Sequence, residues 1–149
     1  MDYMNFFPED VVLFRLLLAV ALGGIIGLHR ELHGKPAGMR THALVCLDST
    51  LFTLISLSLP LEADVGRIAA NVVLGIGFLG AGSIFRSHDH VSGLTTAADL
   101  WVVAAIGLAV GTGFLYAALA STVLVLLVLT FGKWASTLIT SFLKGERKP

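Results

Sequence analysis

Long apolar runs separated by short polar stretches fill this chain from residue 11 to residue 131. A membrane-spanning helix takes about 20 mostly apolar residues, with a range of roughly 17–25. Five runs meet or approach that length, at residues 11–28, 42–61, 69–85, 95–110 and 114–131. Merging the last two would give a helix too long for one crossing, and Gly111-Thr112-Gly113 is a natural break between them. The pattern predicts an all-α polytopic membrane protein. Its five-helix domain would occupy residues 1–131, and a short cytoplasmic tail would follow over 132–149.

Composition agrees with lipid as the solvent. Of 149 residues, 56% are hydrophobic and 13% charged, where a soluble domain carries about 25% charged residues. Mean hydropathy is +0.87. The runs are too many for a signal peptide ahead of a soluble domain, so the first is expected to be a retained helix. A net formal charge of zero leaves no basic excess for nucleic acid. Cys46 is the single cysteine, which excludes an intramolecular disulfide and a cysteine-based metal cluster. An enzyme is not expected, because no Ser-His-Asp arrangement or strand-associated phosphate loop is present. Gly75-x-Gly77-x-x-Gly80 has dinucleotide-loop spacing but lies inside an apolar run with no strand before it.

The basic residues orient the spans. Arg30, Lys35, Arg40, Arg86, Lys133, Lys144, Arg147 and Lys148 all fall in the loops after spans one and three or in the tail. The opposite side holds Arg67 among Asp2, Glu9, Asp10, Glu62 and Asp64. Positive residues accumulate on the cytoplasmic side. The N-terminus is therefore expected outside and the C-terminus in the cytoplasm, as an odd number of spans requires.

Small residues give the helices a means of close approach. Gly23 and Gly27 form a GxxxG pair in the first span, and Gly107 and Gly111 form another in the fourth. Gly75, Gly77, Gly80 and Gly82 crowd the third, which predicts that this span lies at the bundle centre. GxxxG faces left exposed would also allow a homo-oligomer, a dimer being favoured.

Asp48 and Asp99 are the acidic residues within the apolar runs, each about six residues from the inner end of its span. At 1.5 Å per residue, that puts each carboxylate about 9 Å below the cytoplasmic boundary. Placing Asp in lipid costs roughly 2.5–3.5 kcal/mol on insertion scales, so each is expected to face protein, water or a cation. With Ser49, Thr95 and Thr96 they form a candidate cation or proton site, and the metal suggested by such hard oxygen donors is Mg²⁺. The alternative is salt bridging to Arg30, Arg40 or Arg86. Arg15 and Asn71 form a candidate polar anchor at the outer face, where a long side chain reaches the interface. Arg30, Lys35, Arg40 and Arg86 form an inner basic cluster, able to meet anionic headgroups or simply to set topology. His29, His33, His42, His88 and His90 are expected as solvated residues in or beside the inner loops, their spacing matching no closed zinc site.

Three motifs appear in order: Gly34-Lys35-Pro36-Ala37-Gly38-Met39-Arg40-Thr41-His42, Gly75-Ile76-Gly77-Phe78-Leu79-Gly80-Ala81-Gly82, and Gly93-Leu94-Thr95-Thr96-Ala97-Ala98 with Leu100-Trp101 and Ala104-Ala105-Ile106-Gly107. Together they resemble the MgtC/SapB family of bacterial inner-membrane proteins. The resemblance runs from about residue 13 to 131 and implies a five-helix membrane domain. It also implies a link to magnesium or acid homeostasis and a regulatory role exerted by binding other membrane proteins, the ATP synthase among those bound by similar regulators. About 18 residues follow Phe131, which favours the short, SapB-like branch that lacks a soluble C-terminal domain. Asp48 and Asp99 stand where the family pattern has small, hydroxyl or apolar residues. Two functions follow as expectations: an interaction protein of the inner membrane, or a cation transporter or sensor using Asp48 and Asp99.

Overall fold

A computed structural model describes residues 7–59, 65–88 and 90–145. It contains five helices: α1 (Glu9–Leu32), α2 (Met39–Leu57), α3 (Val65–Gly82), α4 (Leu94–Thr112) and α5 (Leu115–Gly145). Each expected span overlaps one of them, although the second runs past Leu57 and the third past Gly82. The expected positions of Asp2, Glu62, Asp64, Arg147 and Lys148 lie outside the described residues. Among the described residues, three helices are long and apolar enough to cross a membrane: α1, α4 and the Leu115–Gly132 part of α5. The apolar part of α3, Gly66–Gly82, is shorter.

Two features differ from the expected pattern. An antiparallel hairpin, β1 (Phe85–Ser87) and β2 (His90–Ser92), replaces a plain loop between α3 and α4, pairing Phe85 with Ser92 and Ser87 with His90. α5 also continues through the expected tail as far as Gly145, because residues 132–145 contain no proline to stop it.

α2 buries several polar side chains beside Val45, Cys46 and Leu54 and exposes several large apolar ones. Its buried face holds His42, Ser49, Thr50, Thr53 and Ser56, while Leu44, Leu51, Phe52 and Ile55 point outward. In water that arrangement would leave an exposed apolar patch. In a bilayer it puts hydrocarbon on the lipid side and uses the hydroxyls between helices. Thr50 Oγ1 donates to the Gly107 carbonyl at 2.8 Å, linking α2 to α4.

Glycine sets the helix spacing. A Cβ on Gly27 would lie 2.6 Å from Met39 Cα, and one on Gly23 would lie 2.7 Å from Cys46 Cβ. Gly107 backs onto the Cys46 carbonyl, and a Cβ on Gly111 would lie 2.5 Å from Thr53 Cβ. α2 is therefore clasped between the glycine faces of α1 and α4. Both GxxxG pairs are used within the chain, so they are not the exposed dimer faces the sequence suggested. The third span is also not central: Gly75, Gly77 and Gly82 have nothing within 4 Å of a Cβ position, while Gly80 meets Ala97 at 3.6 Å. Leu74 and Phe78 on the same helix are exposed.

Candidate functional site

The carboxylate on α4 has a protein partner. Arg30, from the last turns of α1, brings Nε to 2.6 Å from Asp99 Oδ2, with both side chains 6% exposed. Arg30 Nη2 also donates to Thr96 Oγ1 at 3.1 Å. Asp99 and Thr96 are one turn apart on the buried face of α4, so one guanidinium engages both. A buried charge requires such pairing. Among the three arginines weighed from sequence, the fold selects Arg30, while Arg40 and Arg86 are exposed.

Asp48 lies elsewhere. It is exposed and lines an apolar groove of about 450 Å³ between α2 and α3, together with Ser49, Asn71, Val72 and Ile76. No α4 residue lines that groove. Neither Asp48 nor Asn71 has a hydrogen-bond or ion-pair partner among the described residues. The expected pairing of Asp48 with Asp99 is therefore not formed, because α2 turns its Cys46–Ser49–Thr53 face to α4 and its Asp48 edge to α3. Ser49 is buried beside Gly107, and Thr95 is exposed at the start of α4. The residues present do not fit a resident Mg²⁺: Asp99 is neutralised by Arg30. No group of three or more His, Cys, Asp or Glu suited to a metal occurs among the described residues.

The outer anchor separates in the same way. Arg15 Nη1 donates to the Gly111 carbonyl at 2.8 Å, and its guanidinium carbon lies 4.8 Å from the centre of the Phe7 ring. A cation at a helix C-terminus meets the negative end of the helix dipole and an unpaired carbonyl. Arg15 thus caps α4, while Asn71 belongs to the groove. The inner basic cluster is also divided: Arg30 is internal and Lys35 lines a cleft near it.

His42 corrects the histidine expectation. It is fully buried under Gly23 and Gly27, with Nδ1 2.9 Å from the Gly38 carbonyl. His29 and His33 stack with ring centres 4.3 Å apart, and His88 and His90 are exposed. Sequence reading missed Glu31, whose Oε2 accepts from the Met39 amide at 2.9 Å and caps the start of α2. The sequence offered little signal for it, because Glu31 lies in the last turn of α1, eight positions before the Met39 amide it caps.

The MgtC family model matches residues 16–138, which takes in the Arg30–Asp99 pair, the α2–α3 groove and both glycine clasps. The chain belongs to the MgtC family. The Escherichia coli protein named "Putative magnesium transporter YhiD" is 46% identical over 125 residues, covering 78% of this chain and 58% of that protein. Protein MgtC of Salmonella typhimurium is also 46% identical over 125 residues, covering 84% of this chain and 52% of the relative. Protein SapB of Bacillus subtilis is 36% identical over 140 residues, covering 88% of this chain and 60% of the relative. The chain thus spans little more than half the length of these relatives. No solved structure matches it. Family membership and three helices suited to crossing a bilayer make this MgtC-family chain a membrane protein.

Proposed function

We propose that this protein is a five-span component of a bacterial inner membrane that acts by engaging another membrane protein, in a role tied to magnesium supply. The observation that carries this reading is Asp48 with Asn71, two polar side chains unpartnered among the described residues and set in an apolar groove. At membrane depth, a free carboxylate sharing a groove with a carboxamide calls for a donor. The occupant that fits is a transmembrane helix of a different protein, presenting a small-residue face to α3 and a cation or hydrogen-bond donor to Asp48. Gly75 and Gly82, open along α3, allow a close backbone approach.

Five spans are supported by α2, which buries Ser49, Thr50, Thr53 and Ser56 between helices and exposes Leu44, Leu51, Phe52 and Ile55. The distribution of Lys and Arg supports an outer N-terminus and a cytoplasmic C-terminus. The magnesium link rests on the name of the Escherichia coli relative. Transport through an Asp48–Asp99 ion site is the weaker reading, since Asp99 is already paired with Arg30.

A photo-crosslinker at Leu79, on the groove, is compared with one at Leu13, on an exposed position of α1. The expected result is an adduct from Leu79 to one defined membrane protein, lost in Asp48→Leu and absent from Leu13. An adduct only to a second copy of this chain would overturn the hetero-partner in favour of self-assembly. Cation uptake by liposomes holding the purified chain, abolished in Asp48→Asn, would overturn it in favour of transport.

A further inference from the structure

A second cavity, of about 640 Å³, opens where α1 ends and α4 begins. Arg30, Lys35, Thr95 and Thr96 line one side, and Val128 and Leu129 of α5 line the other. Among the described residues, no Asp or Glu lines it. Arg30 is 5% exposed and fixed in place by Asp99 and Thr96. A guanidinium has five N–H donors, and these two contacts leave others to face the cleft. The Lys35 ammonium adds a second cation, with no hydrogen bond or ion pair among the described residues, while the Lys35 backbone amide donates to the Arg30 carbonyl at 3.1 Å. The floor is the first turn of α4, which has no side-chain cap. Ala97 N bonds to the Gly93 carbonyl, so the amides ahead of it precede the intrahelical ladder. Gly93, at φ 89°, packs against the Ser83 carbonyl and holds that turn in place.

The two walls differ in chemistry. The cationic side suits an anion with several oxygen acceptors. The α5 side is apolar and continues onto Leu124, Leu127 and Val128, all exposed along the helix. A ligand that satisfies both walls has an anionic head and a hydrocarbon body. We propose that this cleft binds a phosphate-bearing anion, the headgroup of an anionic phospholipid whose acyl chain lies along α5. Asp99 then has a positioning role, holding the Arg30 guanidinium at the cleft wall. The cleft is separate from the α2–α3 groove, so either site can be absent without the other.

The test is native mass spectrometry of the full chain in detergent, titrated with phosphatidylglycerol, with phosphatidylcholine of the same acyl chains, and with inorganic phosphate as competitor. Phosphatidylglycerol is expected to bind at least about five-fold tighter than phosphatidylcholine, the scale of one cation near an anionic headgroup. Lys35→Gln is expected to remove most of that preference and Lys35→Arg to keep it. Thr95→Glu, at an exposed position, provides a second variant that places a repelling charge in the cleft. Leu129→Trp blocks the apolar wall. Loss of phosphatidylglycerol in that variant, with no competition from phosphate, identifies the lipid as occupant. Competition by phosphate, with Leu129→Trp unaffected, identifies the free anion at the same cationic wall. Equal binding of the two lipids, or full retention of the preference in both Lys35→Gln and Thr95→Glu, would overturn the proposal.

Discussion

Arg30 and Asp99 come from different helices, 69 positions apart in the chain, and meet at 2.6 Å with both side chains 6% exposed. Removing one partner of a buried pair leaves the other charge unpaired and costs about 3–5 kcal/mol. Asp99→Ala is expected to destabilise the folded chain on that scale in a detergent melt or an unfolding titration. The double variant Arg30→Met with Asp99→Leu is expected to recover most of the loss, since apolar residues can replace a buried pair with little cost. A single Asp99→Ala variant as stable as the parent would show that the pair does not hold α1 to α4.

The glycines of α4 and α3 differ in what surrounds them. Gly107 backs onto the Cys46 carbonyl, whereas Gly75 faces open space. Gly107→Ala forces α2 and α4 apart and is expected to cost about 1–3 kcal/mol, the range for overpacking. Gly75→Ala is expected to leave the isolated chain's stability within about 0.5 kcal/mol, typical of exposed sites. The two melting curves, compared side by side, check the assigned helix rotations.

Arg15 donates to the Gly111 carbonyl at the C-terminal end of α4. Arg15→Gln removes the charge at that end and is expected to cost about 0.3–1 kcal/mol. Arg15→Lys is expected to retain part of it through the dipole. The ordering Arg, Lys, Gln in thermal stability is the measurement, and an unchanged Gln variant would remove the capping role.

Asp48 has no hydrogen-bond or ion-pair partner among the described residues, so its replacement breaks no polar contact with them. Asp in mid-span costs roughly 2.5–3.5 kcal/mol on insertion scales. Asp48→Leu is therefore expected to insert at least as well as the parent and to melt no lower, while losing the Leu79 crosslink to its partner. A sharp loss of folded protein in that variant would mean that the carboxylate supports the fold.

Orientation is accessible by labelling. A cysteine replacing exposed His88, beside the hairpin tip, is expected to react with an impermeant thiol reagent only from the cytoplasmic side. Buried native Cys46 is expected to stay silent. Labelling of position 88 from outside would invert the topology.

Several features were legible before any fold was known. Runs of about 20 apolar residues mark the helices because backbone groups in lipid must be satisfied within each segment. Lys and Arg predict an orientation because they resist translocation. The GxxxG pairs at Gly23 and Gly107 marked close approach, although not against which helix. The hairpin between α3 and α4 was harder to see, because His88-Asp89 is a weak turn signal between strands of three residues each.

Helix rotation was decided by tertiary structure alone. In water, a helix shows its buried face as a stripe of apolar residues; in lipid, the outward positions are apolar too, and that contrast fades. Sequence therefore gave Asp48 and Asp99 similar depth but not their directions, and it could name three arginines for Asp99 without choosing among them. The glycine clasp of α1 and α4 on α2 fixes those rotations. It brings Arg30 to Asp99, hides His42, and turns Asp48 toward α3.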